Sequence, residues 1–279
     1  MQSKLIRNIS TFIDFIQGRN QLKLCILDNN NLQFCEQNKS YLKPTQLFSF
    51  YDAVLIPKWV YLEIENSNAR LAYIEAISVP VFVLEETDYS VFVDYHDLMV
   101  MRLFCQASMP GRTPYKYLKR AINLIEQQQR EIEDDWIERY YEEGFDMIKG
   151  SRKNAGENSI LVLAVLLALY LQDHLSQVTI CSNDGEVRDI KIQILDYVLK
   201  NAGNYPKREK ITFLSTDSLL RTVWLNGQLQ LADISLIRTN QRRIMGYLPK
   251  GDGTHEEVNC VVATGEFIEL LEEGLILYF

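Results

Sequence analysis

Histidine is scarce in this 279-residue chain: His96, His174 and His255 are scattered, which excludes a histidine-rich metal site. Cysteine is thin and unpaired. Cys25, Cys35, Cys105, Cys181 and Cys260 are odd in number and form no close pairs, so no disulfide framework or structural zinc is expected, and a reduced cytoplasmic compartment is the default. Neither GxxxxGK[ST] nor GxGxxG occurs, which removes support for nucleoside triphosphate use. No apolar run is long enough for a membrane. The longest, residues 160–171, is about half the ~20 residues of a spanning helix and reads as a core helix. Met1-Gln2-Ser3-Lys4 lacks the basic and apolar blocks of a secretory signal. Internal repeats and low-complexity segments are absent, and so is net positive charge: the balance is −8.

What is present suits a core. The chain is 47% apolar and 24% charged, enough for one large domain or two modest ones. Two apolar runs end in an aspartate, Lys23-Leu24-Cys25-Ile26-Leu27-Asp28 and Val178-Thr179-Ile180-Cys181-Ser182-Asn183-Asp184. Such runs read as buried parallel strands with a carboxylate at the tip, where open α/β sheets bind their ligands. Further strands are expected at residues 53–56, 79–84 and 211–214. Helices are expected at 4–17, 59–74, from 158, and at 186–201. A polar, helix-friendly stretch opens at Thr113-Pro114 and runs to Glu143. The fold class is therefore α/β: a three-layer arrangement around a central, mostly parallel sheet. Four regions follow: a first part of the core at 1–84, a helical insertion at 85–150, a second part of the core at 151–220, and a C-terminal extension at 221–279.

Four acids fall on one sheet edge in this layout. Asp28 and Asp184 end strands, Glu63 lies early in the helix after the second strand, and Glu157 opens the apolar helix. Each alone has an ordinary explanation: a helix cap, a turn, a surface position or a favourable place at a helix N-terminus. Together, as hard oxygen ligands without His or Cys, they select Mg²⁺ or Mn²⁺. Such ions activate water and stabilise the charge developing on a phosphodiester, singly or as a pair ~4 Å apart. Asp217, at another strand tip, is a supporting candidate. Basic groups at Arg102, Arg112, Lys116, Lys119 and Arg120, at Arg152 and Lys153, at Lys207, Arg208 and Lys210, and at Arg238, Arg242 and Arg243 are either solvated surface or phosphate contacts.

The order Leu27-Asp28-Asn29-Asn30, Val54-Leu55-Ile56-Pro57-Lys58-Trp59-Val60-Tyr61-Leu62-Glu63-Ile64, Gly156-Glu157-Asn158-Ser159-Ile160 and Ser182-Asn183-Asp184 resembles the PIN-domain nucleases. The resemblance covers about residues 20–84 and 151–220. It implies that Asp28, Glu63, Glu157 and Asp184 hold Mg²⁺ or Mn²⁺ and carry catalysis. Ser182 and Asn183 would shape the final turn, with Asn183 orienting the site. The chain departs from compact members by its N-terminal segment, its long insertion and about sixty residues after the last expected strand.

The expected function is a metal-dependent endoribonuclease. Lys116, Lys119, Arg120, Arg152 and Lys153 would hold phosphates beside the acids. A structure-specific DNA nuclease shares the same site chemistry, and a non-catalytic interaction module is the alternative from another class. A phospho-aspartate enzyme is disfavoured, because Asn30 stands where such families place a second aspartate. The resemblance further implies a homo-oligomer or an inhibitory protein partner. No membrane association is expected.

Overall fold

The computed structural model describes residues 5–147, 151–171, 174–183, 185–201 and 210–278. Its strands, in chain order, are β1 (Leu5–Ile6), β2 (Leu22–Leu27), β3 (Ala53–Pro57), β4 (Val81–Leu84), β5 (Phe145–Asp146), β6 (Ser151–Arg152), β7 (Leu175–Cys181), β8 (Ile211–Leu214), β9 (Arg242–Pro249), β10 (His255–Val262) and β11 (Ile276–Leu277). Among the described residues six of these form one sheet, in the order β1-β4-β3-β2-β7-β8. Every neighbouring pair in it is parallel.

Both faces of the sheet's centre are covered. All residues of β3 and β4 are buried, as are all of β2 except Lys23. Strands buried on both sides need near-continuous apolar sequence, which Ala53-Val54-Leu55-Ile56 and Val81-Phe82-Val83-Leu84 supply. The topology explains where a ligand would sit. From β2 the chain winds outward through β3 to β4, then returns past β2 to build β7 and β8 on its other side. The strand order thus reverses between β2 and β7, and the crevice at such a reversal opens at the carboxyl ends of the strands. Asp28 and Ser182 directly follow those two ends.

The helix Ala155–Tyr170 runs through the middle of the molecule. Nearly all its residues are buried, because it packs on β2, β3, β7 and β8 and is covered in turn by the 3₁₀ segment Glu86–Val93 and the helix Asp97–Ala107. A helix that is apolar all round has to be enclosed in this way. The insertion therefore shares the core of the sheet. Trp59 lies 4.9 Å from Tyr141 and 5.5 Å from Phe104, centroid to centroid, and Phe104 lies 5.3 Å from Tyr140.

Several expected boundaries move. Residues 4–17 are not one helix: Leu5–Ile6 pairs with β4 as an edge strand, and the helix spans Ile9–Ile16, capped by Asn8. The expected helix over 59–74 is two, Lys58–Ile64 and Asn68–Glu75, because Ser67 caps a new start by accepting from the Arg70 amide. The polar stretch from Thr113 breaks into Thr113–Glu126 and Trp136–Glu142, with Gln128 in the left-handed region between them. Val79 and Pro80 precede their strand, which starts at Val81.

The C-terminal extension forms an antiparallel sheet, β10-β9-β11, with the helix Thr264–Glu272. Gly246 in β9 is required there, since a Cβ at that position would fall 2.4 Å from the carbonyl oxygen of Ile276.

Candidate functional site

Asp28 is 4% exposed and occupies the N-cap position of the helix Asn29–Gln37, yet its side chain makes no capping bond to the first turn. Instead it accepts a hydrogen bond from Ser182 Oγ at 3.1 Å, across the β2–β7 reversal. Its backbone N–H donates to the Cys181 carbonyl at 3.1 Å, which fixes the strand tip. Burial pushes the Asp28 carboxyl up to about 7, helped by the negative charges of Glu157 and, more weakly, Glu63; Ser182 and the Asn29 amide oppose this. Both glutamates are therefore within electrostatic reach of Asp28.

Glu63 is tied to the same edge through Asn29, whose Nδ2 donates to Glu63 Oε2 at 3.0 Å. Arg70 donates to the other side of the Asn29 amide. Burial raises the Glu63 carboxyl, and the Asn29 bond and the Arg70 charge hold it back. Gly156 explains how the apolar helix comes so close. A Cβ there would stand 3.0 Å from Val60 Cγ2 and 3.7 Å from Glu63 Oε1. Without one, the first turn of Ala155–Tyr170, carrying Glu157, can lie against the helix that carries Glu63.

Glu86, which the sequence did not single out, joins these two helices. It is 4% exposed at the start of the 3₁₀ segment after β4. Its Oε1 accepts from the Trp59 amide at 3.1 Å and from Ser159 Oγ at 2.7 Å. Tyr89 OH closes the network on Ser159 at 2.8 Å. Glu86 thus supplies the first-turn acceptor that the helix Lys58–Ile64 lacks from its own N-cap, Pro57. Burial pushes its carboxyl up to about 8. Its only signal in the sequence was position, directly after a third strand at the same edge. The Tyr141 hydroxyl stands within electrostatic range of this region: burial raises it first, then Glu63 and Glu86, with Arg152 opposing.

Asp28, Glu63 and Glu157 are thus gathered on one edge. Asp184 lies outside the described residues. Its neighbour Asn183 is exposed, and Asn183 Oδ1 accepts from the Thr216 amide at 2.7 Å, tying the tip of β7 to that of β8. Asp217 is placed differently from the other acids. Arg238 grips it through Nε and Nη2 at 3.0–3.1 Å and Arg242 approaches to 3.3 Å, so its charge is met from within the chain. Ser215 provides the helix cap there.

Of the phosphate candidates, Lys116, Lys119, Arg120 and Lys153 are exposed. Arg152 differs from these: it is 4% exposed, stacked 3.9 Å over the Tyr140 ring and bonded to the Tyr140 carbonyl, so it is not part of an exposed basic surface. Arg238 is buried in its ion pair. Lys207 and Arg208 lie outside the described residues.

The donor chemistry fits a hard divalent cation. The available ligands are carboxylate oxygens, and Asn31 Oδ1, buried on the helix after Asp28, is an oxygen with no hydrogen-bond partner among the described residues. Among the described residues there is no group of three or more His, Cys, Asp or Glu side chains that could hold a metal ion, and Asp28, Glu63 and Glu157 do not form one. Mg²⁺ needs none, since it commonly takes one or two carboxylates and fills its other positions with water and phosphate. Among the described residues no helix is long and apolar enough to cross a membrane. Compared with known proteins, the chain matches no family model and no curated sequence.

Proposed function

We propose that the protein is a divalent-metal-dependent nuclease of PIN-like type that hydrolyses phosphodiester bonds, with RNA as the first substrate to test. The observation that carries this reading is Asp28. It is a buried carboxyl at the topological reversal of a parallel sheet, with two further acids in electrostatic reach and no Lys or Arg paired with it among the described residues. Holding the buried Asp28 charge near the half-buried Glu157 and the exposed Glu63 is unfavourable, and a bound cation would relieve it. A structural role would call for a cation from the chain: Arg238 and Arg242 meet Asp217, whereas among the described residues none is paired with Asp28.

Asp28, Glu63 and Glu157 would contribute to holding Mg²⁺ or Mn²⁺, with Asp184 as the fourth candidate from the sequence and water and phosphate filling the other positions. When bound, the ion supplies Lewis acidity toward a phosphodiester oxygen and lowers the cost of generating a water nucleophile. Ser182 orients the Asp28 carboxylate by donating to Oδ2, and Asn29 orients Glu63. Glu86 is a positioning residue, because it fixes the two helices that present Glu63 and Glu157. The exposed cations of the helix Thr113–Glu126 are suited to phosphate contacts that carry no sequence information.

The test is cleavage of labelled single-stranded RNA and DNA with Mg²⁺, with Mn²⁺ and with EDTA. Cleavage that needs the metal and is lost in both Asp28→Asn and Asp184→Asn supports the reading. Absence of metal-dependent cleavage of either polymer, or cleavage unchanged in those variants, removes it. The preferred polymer decides between ribonuclease and DNA nuclease.

A further inference from the structure

A cavity of about 240 Å³ opens at the first turns of two long helices, Thr113–Glu126 and Ala155–Tyr170. Arg112, Arg152 and Lys153 line it, with Ser108, Asn158 and Met109. No acidic side chain is among its described lining residues. Neither helix has a side-chain capping bond at its N-terminus; the positive end of Thr113–Glu126 meets no acid in its first turn, while Glu157 partly offsets that of Ala155–Tyr170.

The wall of this cavity is built around Tyr140. Its hydroxyl bonds Ser108 Oγ at 2.8 Å and receives Asn158 Nδ2 at 3.0 Å. Its ring and carbonyl hold Arg152 from two directions. That leaves Arg152 Nε, a buried N–H donor, without a hydrogen-bond partner among the described residues. An orphaned buried donor is costly, by about 1–3 kcal/mol or more for a charged group, unless a ligand satisfies it. Among the described residues nothing accepts from Arg152 Nε, and an acceptor on a bound ligand would satisfy it.

We infer that this cavity is a phosphate pocket that takes the terminal phosphate of a nucleic-acid strand. This rests on the reading that the ligand of the adjacent acidic edge is a nucleic acid. The volume is below the ~300–1,000 Å³ of sites for drug-sized ligands, which suits a phosphate with its adjoining sugar. Three cations and the acid-free N-terminus of Thr113–Glu126 match a terminal phosphomonoester, of charge about −2 at neutral pH, better than an internal diester of half that charge. The remainder of the strand has a path. Arg112, Lys116, Lys119 and Arg120 share one side of a helix, and at 1.5 Å per residue they extend about 12 Å from the pocket. The helix that contributes Asn158 to the pocket presents Glu157 toward Asp28, so a strand anchored here would lie beside the acids.

The test is fluorescence anisotropy in EDTA, where metal-dependent cleavage is silent. The probe is a short single-stranded RNA with a 5′-phosphate, a 3′-phosphate or hydroxyls at both ends, with inorganic phosphate as competitor. One phosphorylated form is expected to bind about tenfold tighter than the hydroxyl form, and which form it is identifies the end that docks. The preference should vanish in the Arg112→Ala/Lys153→Ala variant, whose side chains are exposed and leave the core untouched. It should persist in Asp28→Asn. Equal binding of all three forms, or a preference surviving in the double variant, overturns the pocket. A preference that persists in a protein without nuclease activity would uphold the pocket while removing the nuclease reading.

Discussion

Two buried aspartates sit at strand ends of the same sheet and are treated in opposite ways. Asp217, after β8, is met by the guanidinium groups of Arg238 and Arg242; Arg238 is itself fully buried, stacked over Phe267 and bonded to the Val262 carbonyl. This ion pair joins the parallel sheet to the C-terminal one. Asp28, after β2, has a serine hydroxyl and two neighbouring glutamates instead. The chain can neutralise a buried acid where the fold requires it. Asp28 has no such partner among the described residues, and under the proposed function it would take a cation from solution instead.

The largest expected effect lies on the satisfied side. Arg238→Met strands Asp217 in the core and should cost about 3–5 kcal/mol in urea unfolding. A loss under ~1 kcal/mol would mean that the pair is not structural and would break the contrast.

Next comes Glu86. Its carboxyl is raised from 4.5 to about 8, so its contribution to stability is fully present below pH ~4.5 and is lost as pH rises through about 8. Within that window the loss approaches about 1.4 kcal/mol per pH unit. Glu86→Gln keeps an acceptor for Trp59 and Ser159 and should flatten this part of the stability–pH curve. A curve with unchanged slope would show that Glu86 stays ionised.

Asp28→Asn should act in the opposite sense to a mutation of Asp217. Without divalent ions at pH 8 it should stabilise the protein by about 1–3 kcal/mol, because an ionised carboxyl is no longer buried beside Glu157 and Glu63. The sign follows from the raised value: the wild type loses stability as pH climbs through about 7, so the advantage of the variant should fade toward pH 4. Destabilisation at pH 8 would place Asp28 with Asp217 as a structural acid.

Much of this contrast was legible in the residues, and the reason is local. Strands buried on both faces are continuous apolar runs, so β2, β3, β7 and β8 and the acids at their tips can be read directly. Gly156-Glu157 before an apolar block marks a helix start whatever surrounds it. The parts that were hidden depend on distant partners. Asp217 looks like any acid in a first helical turn until Arg238, which reads as surface charge, folds back onto it. Arg152 gives no sign of its burial under Tyr140, and Glu86 reads as a solvated acid until Trp59 and Ser159 approach from two other elements. The break at Ser67 was signalled by a capping residue but lay inside a stretch that otherwise suits a helix.

The most direct measurement is the effect of Mn²⁺ on thermal stability at pH 8, in wild type and in Asp28→Asn. A site that binds only the folded chain stabilises it by about 2.7 kcal/mol at a hundredfold excess over Kd. The account predicts a concentration-dependent rise in Tm for the wild type, none for Asp28→Asn, and an undiminished rise for an Arg112→Ala/Lys153→Ala control. An unchanged wild-type Tm, or an equal rise in Asp28→Asn, would contradict the claim that this acid is kept for a metal.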